Sequence, residues 1–288
     1  MTDSDAAAPA HPGTREQPPR FDAGFRARHA ELALGYGGGG DPAEPDLVQA
    51  MQMVLHIPKV DPPQRSSLLE AAAAAVVSLC LDPRVGAGGE WESRYLNWKR
   101  SRIRKVARRA RGAQWISAAE VDGVTVEAGG ALARALVPGP VGAIDPRIRK
   151  LQIGGTDLEP DQPAAPDPEL PVLWVNSALG MSVGKAAAQV GHASMLLAGA
   201  MCAERAFAWA RSGFRCAVRE ADADMWSGLC ARAGRDDVPE TVAAVRDAGF
   251  TEVAPGSMTV IALAPGPPDG NLSSAMNDSD RDRTGGGL

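Results

Sequence analysis

The chain has 288 residues, 44% of them hydrophobic, with four cysteines and a formal net charge of −5. That is enough apolar material for one large domain or two small ones. Cys80, Cys202, Cys216 and Cys230 lack CxxC or other metal-ligand spacing, the longest apolar run, "AAAAAVVSLCL", is too short to span a bilayer, and nothing like a secretory leader opens the chain. These features point away from a disulfide scaffold, a metal cluster and a membrane protein, toward a soluble cytoplasmic protein with free thiols and no cofactor.

Residues 1–45 are rich in Ala, Pro, Gly and charge, and residues 269–288 offer almost nothing to bury. Both are expected to be disordered, because little buried apolar surface offsets the entropy of ordering. Between 46 and 158 a mainly helical accessory domain is expected. Residues 46–55 and 64–81 read as two short helices split by the breaker "PKVDPP". A third helix is expected from about Glu90, with Leu96, Ile103, Val106 and Ala110 recurring at helical spacing.

That third segment concentrates charge. From Trp91 to Arg111 it carries nine basic residues, Arg94, Lys99, Arg100, Arg102, Arg104, Lys105, Arg108, Arg109 and Arg111, against the single acid Glu92. The local balance is +8 in a chain of −5, so the remainder sums to −13. Basic residues interleaved with Trp91, Tyr95 and Trp98 suit a polyanionic partner. The next stretch, "WISAAEVDGVTVEAGGALARALVPG", reads as short strands around an Asp122-Gly123 hairpin turn. The Pro/Asp-rich residues 159–170 then form the best candidate linker, and no internal repeat is evident.

Beyond the linker, over residues 171–268, the pattern is α/β. "PVLWVNS", "FRCAVRE", "TVAAVRD" and "MTVIALA" read as four strands. The first two flank a helix capped by Ser182, which implies a parallel pair with a crossover; the last two suit an antiparallel pair. Lys185 lies in the first turn of that helix, Asp247 ends the third strand and Thr259 opens the fourth, so all three are expected at one sheet edge. A lysine at a helix N-terminus opposes the dipole unless an anion lies nearby. Gln189 and His192 follow it at i+4 and i+7 on one face.

The stretches "GMSVGKAAAQVGHAS" and "RDAGFTEVAPGSMTVIALAPGP" resemble the type II peptidyl-tRNA hydrolases over about 100 residues. The resemblance implies a three-layer α/β sandwich around a mixed four-stranded sheet, preceded here by the accessory domain. It further implies metal-independent hydrolysis of the ester between a peptide and tRNA, with Lys185, Asp247 and Thr259 catalytic. Gln189 and His192 match flanking motif positions, Ser257 stands where threonine is more usual, and all three are expected to support the site. On this reading tRNA is the partner, no membrane is involved, the nine basic residues grip tRNA, and a homodimer is an open option. The chain departs from the family pattern at Ser182-Val183-Gly184, where a second basic residue is common before the motif lysine, and in the polar tail from Asp269. Those departures leave a second reading, an RNA- or protein-binding member without catalysis; in a third, the basic segment is an internal or oligomer contact that pairs with the chain's surplus of acid.

Overall fold

The computed structural model describes residues 21–35, 40–234, 242–249 and 252–266. The tail from Asp269 and residues 1–20, both expected to be disordered, lie outside the described residues. Residues 23–33 of the same N-terminal segment instead form helix α1 (Ala23–Ala33), capped by Asp22, whose carboxylate accepts from Phe25 N at 2.8 Å. Its few apolar residues are spaced to meet other elements. Phe25 packs edge-on against Phe207, and His29 hydrogen-bonds Ala198 O at 3.0 Å.

One expected helix proves to be a strand, and another is half helix and half strand. Residues 46–55 carry β1 (Gln49–His56), buried on both faces along nearly its whole length. A strand covered on both sides loses polar alternation, and that removes the signal separating it from a helix. Helix α2 (Arg65–Leu81) follows as expected. The basic stretch divides into α3 (Glu92–Lys99) and β2 (Arg104–Ala110), which pairs in parallel with β1. "WISAAE" is the helix α4 (Ala113–Ala119), not a strand. The hairpin exists as β3 (Gly123–Ala128) and β4 (Ala131–Leu136), but its turn is Gly129-Gly130. Both glycines have positive φ, +54° and +80°, as a two-residue hairpin turn requires. The short β5 (Gly139–Pro140) pairs with β1, and α5 (Pro146–Arg149) closes this half.

The C-terminal half follows the expected order. It contains β6 (Val172–Asn176), α6 (Val183–Ala200), α7 (Ala203–Arg211), β7 (Ala217–Ala221), α8 (Ala223–Ala233), β8 (Val242–Arg246) and β9 (Met258–Leu263). The sheet order is β7-β6-β9-β8, with β6 and β7 parallel and the other pairs antiparallel. α6 covers one face of this sheet, and α8 covers the other through Leu229 and Trp226 beside Ile261. The α/β class and the mixed four-stranded sheet are therefore as expected.

The N-terminal half has helices and a hairpin, and adds a sheet ordered β2-β1-β4-β3 with β5 alongside. Its β1 and β2 are parallel, while β1–β4 and β4–β3 are antiparallel. The two halves thus share strand order and directions, which overturns the reading that no repeat is present.

α2 and α6 pack on each other between the two sheets, and one continuous apolar core runs through both halves. Helix α6 is buried almost all round, as its Ala-rich sequence dictates. Gly191 explains itself here: a Cβ at that position would lie 2.8 Å from Val76 Cγ2 on α2. The absent side chain is what lets the helices approach. Polar contacts tie the halves too. Arg65 donates to Glu220 at 2.8 Å and to Met181 O at 3.0 Å, and Arg219 pairs with Glu70 at 3.0 Å. Residues of the expected linker join in, with Ser66 N donating to Asp161 at 3.0 Å and Arg219 to Ala164 O at 2.8 Å. Among the described residues no helix is long and apolar enough to cross a membrane.

Candidate active site

The Ser182 hydroxyl caps α6, accepting from Lys185 N at 3.2 Å while donating to Glu252 at 2.7 Å. The cap fixes where the helix begins and so sets which way Lys185 leaves its first turn. Lys185 Nζ reaches Asp247 Oδ2 at 2.5 Å, and both side chains are nearly buried, at 9% and 8% exposure. Asp247 follows a register shift at the end of β8, where the bulge turns the chain out of the ladder. Its backbone is clamped by Asp247 N to Ser257 O at 2.9 Å and Gly256 N to Asp247 O at 2.7 Å.

A directed chain of hydrogen bonds runs beneath the ion pair. Thr259 Oγ1 donates to Gln189 Oε1 at 2.7 Å, and Gln189 Nε2 donates to Asp247 Oδ2 at 2.8 Å. Gly249 N donates to Oδ1 at 2.7 Å. Gln189 thus turns its amide oxygen to the hydroxyl and its amide nitrogen to the carboxylate. Among the described residues, the three groups that hydrogen-bond the Asp247 carboxylate, Lys185 Nζ, Gln189 Nε2 and Gly249 N, are all donors.

Gly249 holds this geometry by conformation. Its φ is +80°, and a Cβ there would fall 2.4 Å from Pro255 Cγ. Gly249→Ala is expected to destabilise the protein by about 1–3 kcal/mol and to release Asp247 from one donor. Urea denaturation beside a turnover assay checks this; equal stability would mean the turn adapts.

Lys185, Gln189, His192 and Asp247 line a cleft of about 730 Å³. Thr259 does not. It is fully buried, and its hydroxyl meets the amide oxygen of Gln189. Ser257 contributes through its backbone, accepting from Asp247 N.

The opposite wall of the cleft comes from the N-terminal half, with Arg102, Ile103, Arg104, Lys105, Val106 and Ala107. Lys105 Nζ lies 2.9 Å from His192 Nδ1 and 3.2 Å from Met195 Sδ. The residue is partly exposed, but burial of its amine end pushes its pKa down to about 7, an effect that the nearby Cys80 partly offsets. Burial, with Lys105 and Lys185 close by, holds the His192 imidazole well below its ordinary value and hence neutral.

The other basic residues separate into two groups. Lys99 turns inward and donates to Glu31 O and Gly35 O; Arg108 does the same toward Gln52 and Leu151 O. These two brace the fold. Arg94 sits near Asp122, and Arg100 near Glu31. Arg104 pairs with Asp41 at 2.6 Å, with Arg102 3.7 Å from the same carboxylate. Arg109 donates to Gln152, and with Arg111 and Lys150 it lines a shallow pocket farther along β2. The sequence reading missed the facing of Lys105 and His192, because 87 positions separate them and only the parallel β1–β2 pairing brings β2 over α6.

The family model described as peptidyl-tRNA hydrolase PTH2 matches residues 171–272. A peptidyl-tRNA hydrolase of Thermococcus sibiricus is 34% identical over 100 residues, which make up 33% of this chain and 83% of that protein. One of Haloquadratum walsbyi is 38% identical over 88 residues, 30% of this chain and 77% of the relative. A probable peptidyl-tRNA hydrolase 2 of Schizosaccharomyces pombe is 33% identical over 109 residues, covering 33% and 48%. The network from Lys185 to Thr259 lies wholly inside the matched stretch and residues 1–170 lie outside it, so it is through its C-terminal third that this chain belongs to the peptidyl-tRNA hydrolase PTH2 family.

Proposed function

We propose that the cleft hydrolyses the ester linking an N-acyl-aminoacyl group to the ribose of tRNA. The observation that carries this reading is the nearly buried Lys185–Asp247 pair opening onto a cleft in a chain of this family. A carboxylate has about four lone-pair sites; Lys185, Gln189 and Gly249 occupy three of them. The remaining site accepts a proton from a water in the cleft as the water oxygen bonds to the ester carbon. Negative charge then grows on the former carbonyl oxygen, and the Lys185 ammonium stabilises it. Breaking the carbon–oxygen bond to ribose returns the proton from Asp247 to the departing hydroxyl. The two side chains complete the cycle without a metal. Positioning of the water and stabilisation of the growing charge carry most of the acceleration.

Arg102 and Arg104 at the cleft rim, with Arg109 and Arg111 beyond them on and just past β2, form the track along which the tRNA backbone lies. Asp41 must yield its ion pairs for phosphate to take its place. The test is release of N-acetyl-amino acid from N-acetyl-aminoacyl-tRNA. Turnover by the purified protein is expected. Apparent tRNA affinity should fall with salt by a log–log slope of about −0.9 per phosphate neutralised. Binding of tRNA with no turnover at any pH would indicate a non-catalytic member instead.

A further inference from the structure

The shared strand order of the two halves extends to residues. Trp98 Nε1 donates to Arg104 O at 3.0 Å, and Trp209 Nε1 donates to Arg215 O at 2.7 Å, each six residues along. The stretches "WKRSRIRKVARRA" and "WARSGFRCAVREA" are identical at six of thirteen positions, Trp98/Trp209, Arg100/Arg211, Ser101/Ser212, Arg104/Arg215, Arg108/Arg219 and Ala110/Ala221. Strand register agrees: Met53 lies between Ala107 and Ala135, as Leu173 lies between Val218 and Ala262. The strands so matched end alike, in "ALVPGP" and "ALAPGP".

The packing between halves is reciprocal, as between two copies related by a twofold axis. The helix caps Gln64 and Ser182 place Ala73 opposite Gly191 in the comparison, and Val76 opposite Ser194. Gly191 abuts Val76, and Ser194 Oγ donates to Ala73 O at 2.8 Å, the same pair of positions with the halves exchanged. Likewise β2 lies against α6, while β7 lies against α2.

The chemistry was not kept in both copies. By the same registers, Lys185 corresponds to Ser67, Gln189 to Ala71, His192 to Ala74, Asp247 to Ala128 and Thr259 to Leu132. The residues between β8 and β9 that hold Asp247 shrink to Gly129-Gly130 between β3 and β4.

We propose that the N-terminal half is a catalytically emptied copy of the C-terminal half, kept as the second wall of the one remaining cleft, and that Lys105 is the positioning residue it supplies. Lys105 acts through His192. A charged amine can only donate, so it takes the Nδ1 lone pair and leaves the imidazole proton on Nε2. His192 then offers a fixed N–H to an oxygen of the substrate in the cleft it lines with Lys185. Around this amine lie Cys80 on α2, His192 on α6 and the Trp98 ring of α3; Tyr95 and Lys99 of α3 act on Cys80, and Lys185 acts on His192. The role in turnover rests on the ester hydrolysis proposed above; the coupling of Lys105 to His192 does not.

Two readouts on the full chain test it. In nitrogen-resolved spectra of the imidazole, wild-type His192 is expected to carry its proton on Nε2 alone at pH 6. Lys105→Met should let Nδ1 take up a proton and move the titration back toward the ordinary histidine range. An unchanged His192 signature in Lys105→Met overturns the coupling whatever the turnover. With N-acetyl-aminoacyl-tRNA, Lys105→Met should lower kcat about tenfold, a coupling typical of neighbours in one hydrogen-bond network, with KM little changed. The wild-type rate should fall through pH about 7, where the amine loses its proton, and Lys105→Met should lose that inflection. Lys105→Arg should restore part of the rate, and His192→Gln should cost little once Lys105 is Met. Equal kcat and pH profile in wild type and Lys105→Met overturns the catalytic contribution of the N-terminal half. Absence of turnover in every form, wild type included, is instead a failure of the hydrolysis reading, and the imidazole spectra then decide the Lys105–His192 coupling.

Discussion

Asp247→Asn is expected to lower kcat for N-acetyl-aminoacyl-tRNA by about 10²–10⁴-fold, the range for loss of a positioned base, while the protein stays folded. The reason is directional. An amide in place of the carboxylate sets an N–H group against donors that now meet oxygen, Lys185 Nζ and Gln189 Nε2 on one side or Gly249 N on the other, and it cannot take a proton from water. Lys185→Met should lower kcat to a similar degree and also leave a nearly buried carboxylate without its cation, a loss of about 3–5 kcal/mol for a fully buried pair and less here. Because the two groups act as one unit, the double variant should be scarcely slower than either single one. Rates that multiply would show that Lys185 and Asp247 serve separate steps, and an unchanged rate for Asp247→Asn would remove it from the mechanism. Stopped assays of each variant beside its thermal unfolding curve separate chemistry from stability.

The second large effect is expected from dividing the chain. A fragment of residues 166–288 lacks α2, and with it the cover over the α6 face that carries Gly191 and Ser194. Each fully buried aliphatic side chain contributes about 1.5–3 kcal/mol, so uncovering several rivals the whole stability of about 5–15 kcal/mol of an ordinary domain. The flat surface at Gly191 allows a second fragment to dock in place of α2. The expected result is therefore a homodimer or an aggregate, not a folded monomer, with turnover reduced by the missing Lys105 wall. Light scattering on the eluting fragment decides between these masses. A stable monomer with the full-length kcat would show that the N-terminal half neither covers nor completes the site.

The parts of the fold legible in sequence are those with short-range signals. The Ser182 cap, the strand–helix–strand spacing of β6, α6 and β7, and the paired motifs at 185 and 247–259 mark the C-terminal sheet and its site. What escaped depended on long-range pairing. β1 is buried on both faces, so its pattern lacked the alternation that marks a strand. β2 is charged at four of its seven positions, Arg104, Lys105, Arg108 and Arg109, with no apolar alternation; only its parallel pairing with β1 makes it a strand. The roles of Arg108 and Lys99 were hidden for the same reason, since a buried basic residue and a phosphate-binding one look alike until their acceptors are seen. The repeat was missed because the motif residues that identify the C-terminal half are the ones replaced in the other, while the retained Trp98 and Trp209 serve local turns rather than catalysis.

The single covalent chain through α2 and α6 changes how this protein can vary. In a dimer of identical chains every substitution appears on both sides of the contact, and assembly weakens on dilution. Here Gly191 can be small where Ala73 is not, Val76 can fill the space that leaves, and the join has no dissociation constant to fall below. At any dilution the paired arrangement persists, and each side is free to specialise.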